Sequence, residues 1–79
     1  MCQTIIINNG EVEIETPNEF KEFFGFDPLV EEYYGGIIGD ACLCQVNIEK
    51  TFLDHGINFT EDKSMMWYHV NTKNDNLLI

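Results

Sequence analysis

Arginine is absent from this 79-residue sequence, and only four lysines accompany fourteen aspartates and glutamates. The net charge of −10 repels phosphate groups, so we expect no direct binding to nucleic acid or to an anionic membrane. No apolar run approaches the roughly 20 residues that span a bilayer, and the amino terminus lacks the basic segment of a signal peptide. These absences favour a cytoplasmic protein with no membrane contact.

Cysteine is scarce, with Cys2, Cys42 and Cys44 as the whole complement. An odd number at no familiar disulfide spacing predicts free thiols in a reducing compartment. Together with His55 and His69 they are candidate metal ligands, but structural zinc uses ligand pairs at C-x₂₋₄-C and H-x₃₋₅-H spacings. The one close pair here is C-x-C. We therefore expect small buried thiols, no metal and no other cofactor.

No catalytic motif is evident. A cysteine beside a histidine can act as a nucleophile, but no motif such as a nucleophile elbow supports that reading. The adjacent acids Glu31-Glu32 and Glu61-Asp62 point apart in a helix or a strand. The run Gly35-Gly36-x-x-Gly39 lacks the lysine of a phosphate-binding loop. We predict no catalytic residues and no enzyme activity.

What the sequence does contain is enough apolar material for one core. Hydrophobic residues make up 44% of the chain, among them six phenylalanines, three tyrosines and a tryptophan. This content argues against a disordered protein. A chain of this length has no room for a second core. We therefore predict that residues 1–79 form a single compact domain.

An N-terminal β-hairpin is predicted over residues 3–8 and 11–16. The first segment is β-branched and apolar, and Asn9-Gly10 is a strong signal for a tight hairpin turn. The second segment alternates strictly between apolar and acidic residues. Its apolar residues are expected to face the core and its glutamates to face solvent: Val12 and Ile14, then Glu11, Glu13 and Glu15.

The first helix is predicted to begin at Thr16, with Pro17 at the first helical position and Glu19 completing a capping box. Gly25 is expected to end it. Phenylalanines at i, i+3 and i+4 form its apolar stripe: Phe20, Phe23 and Phe24. A second start at Asp27-Pro28 predicts one or two further helical turns over 29–34.

The middle of the chain is ambiguous. Residues 41–48 have the two-residue period of side chains that is typical of a strand. Residues 50–56, in contrast, indicate the end of a helix that stops at Gly56. We favour a helix over 41–55 and keep a strand over 41–48 as the alternative. Strands are then predicted at 57–60, 65–71 and 77–79, with a turn at 61–64. The order predicts an α+β fold, in which a small antiparallel sheet packs against two or three short helices.

The negative charge is uneven along the chain. Residues 11–32 hold eight of the fourteen acids against Lys21 alone. Alternate residues of a strand recur about every 6.8 Å, which is close to two rises along one DNA strand. Tyrosines add contact area, since they are frequent in binding hot spots. We predict a partner-binding face composed of Glu11, Glu13, Glu15, Glu19, Glu22, Glu31, Glu32, Tyr33 and Tyr34.

In size and composition, though in no motif, the chain is similar to phage-encoded inhibitors of host defence, such as anti-CRISPR and anti-restriction proteins. This similarity favours a phosphate mimic, monomeric or homodimeric, that covers the basic nucleic-acid-binding surface of a CRISPR effector or another nuclease in the host cytoplasm. One alternative is an immunity protein of a nuclease toxin. Another is a non-catalytic adaptor subunit that docks through an aromatic patch, for which Trp67 and Tyr68 are further candidates.

Overall fold

The computed structural model describes residues 3–30 and 42–72. It has the predicted α+β architecture, with a four-stranded sheet in the order β2-β1-β4-β3 and two short helices. Within the described ranges, no helix is long and apolar enough to cross a membrane. In chain order the elements are β1 (Thr4–Ile7), β2 (Val12–Ile14), α1 (Pro17–Phe24), α2 (Ile48–Asp54), β3 (Thr60–Asp62) and β4 (Trp67–Val70).

The sheet is mixed, which corrects the prediction of a purely antiparallel one. Strand β1 runs antiparallel to β2 but parallel to β4, and β4 runs antiparallel to β3. Three consecutive isoleucines of β1, Ile5, Ile6 and Ile7, are all buried. A strand buried on both faces is typical of parallel pairing. The long connection through α1 and α2 supplies the crossover that a parallel pair requires.

The two faces of the sheet differ in character. Ile5 pairs with Ile14 on one side and Tyr68 on the other, and all three belong to the hydrophobic core. Side chains alternate between faces along a strand. The next row, in which Ile6 pairs with Glu13 and His69, therefore faces away from that core.

Aromatic packing joins the helices to the sheet. Phe20 of α1 and Phe52 of α2 are fully buried, and their ring centroids lie 6.1 Å apart. Phe52 also meets Tyr68 of β4 at 6.4 Å, edge to face. Aromatic pairs at such distances stabilise a fold beyond their buried area. These contacts fix both helices on the core face of the sheet.

The N-terminal hairpin and its register are confirmed, since Ile7 lies opposite Val12. The strands are shorter than predicted because the turn spans more than two residues. Asn8, Asn9 and Gly10 all have positive φ, at 52°, 62° and 108°. The carbonyl of Ile7 accepts a hydrogen bond from the Glu11 backbone N–H at 2.9 Å. Left-handed backbone favours Gly and Asn, which explains this composition.

Asn8 also ties β1 to the chain that follows β4. Its Oδ1 accepts from the Thr72 backbone N–H at 2.7 Å, and its Nδ2 donates to Thr72 Oγ1 at 2.9 Å. The two residues are 64 positions apart in sequence. This reciprocal pair closes the end of the parallel strand pair.

The predicted ends of α1 are confirmed. Thr16 Oγ1 accepts from the Glu19 backbone N–H at 3.1 Å. The Glu19 carboxylate in turn accepts from the Glu15 backbone N–H at 2.8 Å, one residue before the usual capping-box position. At the other end, Gly25 has φ 87° and its N–H donates to the Lys21 carbonyl at 2.8 Å.

The predicted helix over 41–55 is wrong in its first half. A 3₁₀ turn covers Leu43–Gln45, Val46 forms a bridge with Val30, and α2 begins only at Ile48. Asn47 sets the start, because its Oδ1 accepts from the Lys50 backbone N–H at 3.0 Å. Asparagine is among the preferred N-caps, and the helix begins there instead of running continuously over 41–55.

The end of α2 matches the prediction. Gly56 has φ 69°, and the Ile57 backbone N–H donates to the Phe52 carbonyl at 2.9 Å. This bond belongs to the glycine-terminated helix end that the sequence indicates. Ile57 packs against the core.

The helical start predicted at Asp27-Pro28 is not observed at Leu29 or Val30, and residues 31–34 lie outside the described ranges. The Leu29 N–H donates to Thr51 Oγ1 at 2.9 Å, and its carbonyl accepts from the Asn47 N–H at 2.9 Å. Both backbone groups of Leu29 are thus bonded to the first turn of α2. They are not engaged in a helix of their own.

Strand β3 and its turn lie later than predicted, at Thr60–Asp62 and residues 63–66. Asp62 Oδ1 accepts from the Ser64 hydroxyl at 2.8 Å and from the backbone N–H groups of Ser64 and Met65. The hydrogen bond from the Ser64 side chain is the main cause that lowers the pKa of Asp62. Such side-chain-to-backbone bonds initiate turns. The predicted strand at 77–79 lies outside the described residues.

We expect Asn9→Ala combined with Gly10→Ala to destabilise the hairpin, by about 1–3 kcal/mol at each position. No heavy atom lies within 4 Å of a Cβ added at Gly10, so the cost comes from its positive φ and not from a clash. Chemical denaturation measures the loss. Asn58→Ala is the control, because Asn58 is exposed and has no positive φ. Equal stability of the double variant and wild type would contradict the turn.

Candidate functional site

A groove runs between the edge strand β2 and helix α1. Strand β2 has one neighbour, β1, among the strands that the structure describes. The groove encloses about 270 Å³. We call it the acidic groove, and it is lined by Val12, Glu13, Ile14, Glu19, Glu22 and Phe23.

Two apolar side chains are exposed in the acidic groove. Val12 is 37% exposed and Phe23 is 39% exposed, although the alternation and the stripe predict that both face the core. Val12 lies at the start of β2, and none of the other strands that the structure describes covers its outer side. On α1, it is Phe20 and not Phe23 that occupies the centre of the core. Phe23 packs edge to face on Phe24, with 4.9 Å between ring centroids.

Carboxylates line the same groove as these apolar side chains. Glu13, Glu19 and Glu22 are exposed. The Glu19 carboxylate also stabilises the start of α1, because it accepts a hydrogen bond from the Glu15 backbone N–H. Lys21 is the one cation of residues 11–32, and it pairs with Asp27 at 3.8 Å. Both side chains of that pair are largely exposed, so it contributes little to stability. The groove therefore presents negative charge around an apolar strip.

The predicted ladder of three glutamates is shorter in the structure. Glu13 lies within β2, whereas Glu11 and Glu15 flank the strand. Glu11 accepts a hydrogen bond from Asn8 Nδ2 at 2.9 Å. The strand spacing of about 6.8 Å therefore does not extend over all three glutamates. What the fold adds is the approach of α1, which brings Glu19 and Glu22 beside β2, so that they line one groove with Glu13. Glu13 itself belongs to the row of the sheet that faces away from the core.

The aromatic residues that the sequence offers for partner contact are buried or half-buried in the structure or lie outside its described residues. Tyr68 is only 7% exposed, so it is a core residue and not a docking surface. Burial, followed by the charges of Glu61 and Glu49, raises the pKa of Tyr68 to about 12. Trp67 is half-buried, with its ring 6.0 Å from that of His69. The remaining predicted contacts lie outside the described residues: Glu31, Glu32, Tyr33 and Tyr34.

Sequence reasoning missed a carboxylate pair between α2 and β3. A hydrogen bond with Glu61, together with the charge of Glu61, raises the pKa of Glu49 above its ordinary value of 4.5. Glu49 lies in the first turn of α2 and Glu61 in β3, at the sheet edge opposite the acidic groove. No local pattern predicts this contact, because it exists only once α2 packs beside β3.

The cysteines correct the prediction of three free thiols. Cys42 is disulfide-bonded, whereas Cys44 is a free and exposed thiol. The Sγ atoms of Cys42 and Cys44 are 3.1 Å apart. The disulfide partner of Cys42 lies outside the described residues. Sequence spacing alone gives no measure of such proximity.

The histidines considered as metal ligands lie in separate environments. His55 stacks on Phe26 with 3.7 Å between ring centroids, and its Nδ1 is 3.0 Å from the Thr51 carbonyl. His69 lies in β4 on the sheet face away from the core. Over residues 3–30 and 42–72, no three His, Cys, Asp or Glu side chains converge on a possible metal position.

A second cleft, of about 360 Å³, lies near the hairpin turn and the end of β4. Its lining has amide, hydroxyl and imidazole groups but no carboxylate and no lysine. It therefore offers no carboxylate and no ammonium group to recognise an ionic ligand. The lining residues are Asn9, Asn58, Phe59, Thr60, His69, Val70 and Asn71.

No protein-family model, curated protein or solved structure matches this chain. Its function is therefore inferred from its own residues.

We expect Glu49→Gln to raise the melting temperature slightly at pH 7, because an amide donates to the Glu61 carboxylate and removes a like charge at an exposed position. A raised pKa in the folded state means that the fold favours protonated Glu49. The stability from this preference is fully present below the ordinary value of 4.5 and is lost as pH rises through the raised pKa.

The gain of Glu49→Gln should therefore vanish in acid, as measured by thermal unfolding across a pH series. Glu22→Gln is the matched control, since it removes the same charge from an exposed position on α1. If both variants show the same pH profile, the Glu49–Glu61 pair does not act as described.

Proposed function

We propose that this chain is a small acidic binding inhibitor that covers the basic nucleic-acid-binding surface of a partner protein. Its carboxylates take the positions that phosphates of the nucleic acid would occupy. The partner class is a CRISPR effector or another nuclease, and the setting is phage defence against host immunity. The observation that supports this most is the acidic groove, whose lining combines Glu13, Glu19 and Glu22 with exposed Val12 and Phe23.

Charge is the first support. Carboxylates crowded into residues 11–32 repel one another and cost stability in the free protein. A partner surface rich in Lys and Arg relieves this repulsion on binding. Complementary charge also steers the encounter and accelerates association. With a net charge of −10, the chain is suited to basic protein surfaces and not to nucleic acid itself.

The exposed apolar strip is the second support. Charge pairs at an interface rim contribute little affinity, and well-packed apolar anchors contribute more. Phe23 and Val12 supply such anchors beside the carboxylates. Aromatic side chains are enriched in interfaces relative to the rest of a protein surface. The groove thus combines two features. Its carboxylates match the charge of a phosphate-binding surface, and its apolar side chains add a contact that a phosphate group does not make.

The edge position of β2 is the third support. An edge strand offers backbone groups to which an extended segment of another protein can add. Glu13 lies in that strand and discourages pairing with a second copy of this acidic chain, because like charges opposite one another destabilise a sheet. A basic segment has the opposite effect. The groove therefore favours a cationic occupant over self-association.

The alternative of an adaptor that docks through tyrosines has less support. Tyr68 is buried, which removes it from any docking patch. An immunity protein of a nuclease toxin would use the same acidic groove on a different nuclease. It therefore differs from the main proposal in the identity of the partner and not in the physical mechanism.

The charge prediction is tested with Glu13→Gln combined with Glu22→Gln. Glu19 is left unchanged, because its carboxylate also holds the start of α1. Against a panel of purified CRISPR effectors and DNA nucleases, wild type should bind at least one. The double variant should bind that partner at least tenfold more weakly, since losing one buried charge pair costs about 2–5 kcal/mol. Its affinity should also fall less steeply with salt.

The matched control is Glu49→Gln combined with Asp54→Asn. It makes the same change in charge on α2, whose first turn contacts the opposite sheet edge, and should leave binding unchanged. The partner's DNA or RNA should compete with the chain. Equal loss in both double variants, or a partner that holds nucleic acid and this chain together at full affinity, would contradict the proposal.

The apolar prediction concerns Phe23→Ala. We expect weaker binding by about tenfold at every salt concentration, because apolar contact is not screened as charge is. Circular dichroism should remain that of wild type, since Phe23 is exposed. Leu53→Ala is the matched control, as Leu53 is an exposed apolar residue on α2. Unchanged affinity for Phe23→Ala would remove the apolar strip from the binding surface.

A further inference from the structure

The polar cleft beside the hairpin turn has no part in the proposed function. It has a volume of about 360 Å³, which is within the range of about 300–1,000 Å³ that is typical of small-molecule sites. None of its lining residues lines the acidic groove. None of its lining side chains is a carboxylate, an ammonium or a guanidinium. The cleft is therefore independent of the groove in both position and chemistry.

Strand pairing brings polar side chains together in this cleft. Thr60 of β3 lies directly opposite His69 of β4, so their side chains are neighbours on the same face of the sheet. Asn58, two residues before β3, and Asn71, directly after β4, also line the cleft. Two amides, a hydroxyl and an imidazole thus surround one small volume.

A long-range hydrogen-bond pair fixes a further part of the lining, which Asn9 supplies. The neighbouring Asn8 accepts from the Thr72 backbone N–H at 2.7 Å and donates to the Thr72 hydroxyl at 2.9 Å. Thr72 in turn is next to Asn71 in the chain. This pair ties the hairpin turn to the segment after β4, so the cleft needs little ordering when a ligand binds.

The apolar part of the lining belongs to the core. The Phe59 ring is half-buried, with its centroid 5.2 Å from that of Phe52 and 5.7 Å from that of Tyr68. Val70 is buried. These contacts hold Phe59 in place, and the cleft therefore has a fixed apolar surface beside its amides.

We propose that this cleft binds a neutral sugar unit. Amide, hydroxyl and neutral imidazole groups both donate and accept hydrogen bonds, as sugar hydroxyls do, and the C–H face of a sugar ring can pack on an apolar side chain. An anionic ligand finds no opposite charge here and is repelled by the net charge of −10. A wholly apolar ligand would leave the polar groups without hydrogen bonds, which costs free energy.

The test is a titration of the whole chain, labelled with the heavy nitrogen isotope, followed by proton–nitrogen NMR at mildly alkaline pH, where histidine side chains are generally neutral. The probes are glucose, galactose, mannose and N-acetylglucosamine, with adenosine and the 6-phosphates of these sugars for comparison. At least one neutral sugar should shift the side-chain amide signals of Asn9 and Asn58 and approach saturation at millimolar concentrations. The 6-phosphate of that sugar should bind more weakly, because the chain repels anions.

Thr60→Val removes one hydroxyl and keeps a β-branched side chain that suits a strand. We expect it to bind the sugar about fivefold more weakly, which is the loss typical of one hydrogen bond. Thr4→Val is the matched control, because Thr4 also begins a strand but does not line the cleft. It should bind as wild type does.

Three results would overturn the proposal. The first is the absence of any shift of these amide signals with all four sugars at millimolar concentrations. The second is tighter binding of adenosine or of a sugar phosphate than of every neutral sugar, which would assign the cleft to another class of ligand. The third is unchanged affinity of Thr60→Val, or an equal loss in both threonine variants.

Discussion

The fold depends on strand β1, whose three isoleucines are all buried. This strand lies between β2, which runs antiparallel to it, and β4, which runs parallel to it. Parallel pairing with β4 joins residues near the two ends of the described chain, and antiparallel pairing with β2 follows from the local hairpin. Because β4 pairs with the other side of β1, β2 lies at the edge of the sheet formed by the described strands. The acidic groove exists for this reason, since its floor is the uncovered side of β2 against α1.

Electrostatic repulsion opposes this arrangement. The core is small and aromatic, with Phe20 and Phe52 at its centre, while carboxylates crowd the surface of β2 and α1. Two of these acids have local structural roles: the Glu19 carboxylate helps to cap α1, and the Glu11 carboxylate accepts a hydrogen bond from Asn8. Glu13 and Glu22 line the groove, and a cationic partner is the simplest source of the missing compensation. Under the proposed function, the charge acts on recognition more than on the fold.

The signals that sequence analysis reads correctly are local ones. The hairpin register, the Thr16 cap and the Gly56 helix end each depend on residues within a few positions of one another. The errors arise where distant segments meet. Parallel pairing of β1 with β4, the bonds from α2 to Leu29 and the contact of Glu49 with Glu61 all join segments separated by a dozen residues or more. Periodicity and capping chemistry contain no information about such contacts.

A buried anchor explains how the proposed binding groove is presented. Fully buried Phe20 fixes α1 on the core, so that Phe23, one turn further, is exposed on that helix. A side chain held in this way loses little conformational entropy when it binds, which favours affinity. The small core therefore supports the proposed groove directly, because exposed Phe23 lies one helical turn from a residue that has no exposed surface.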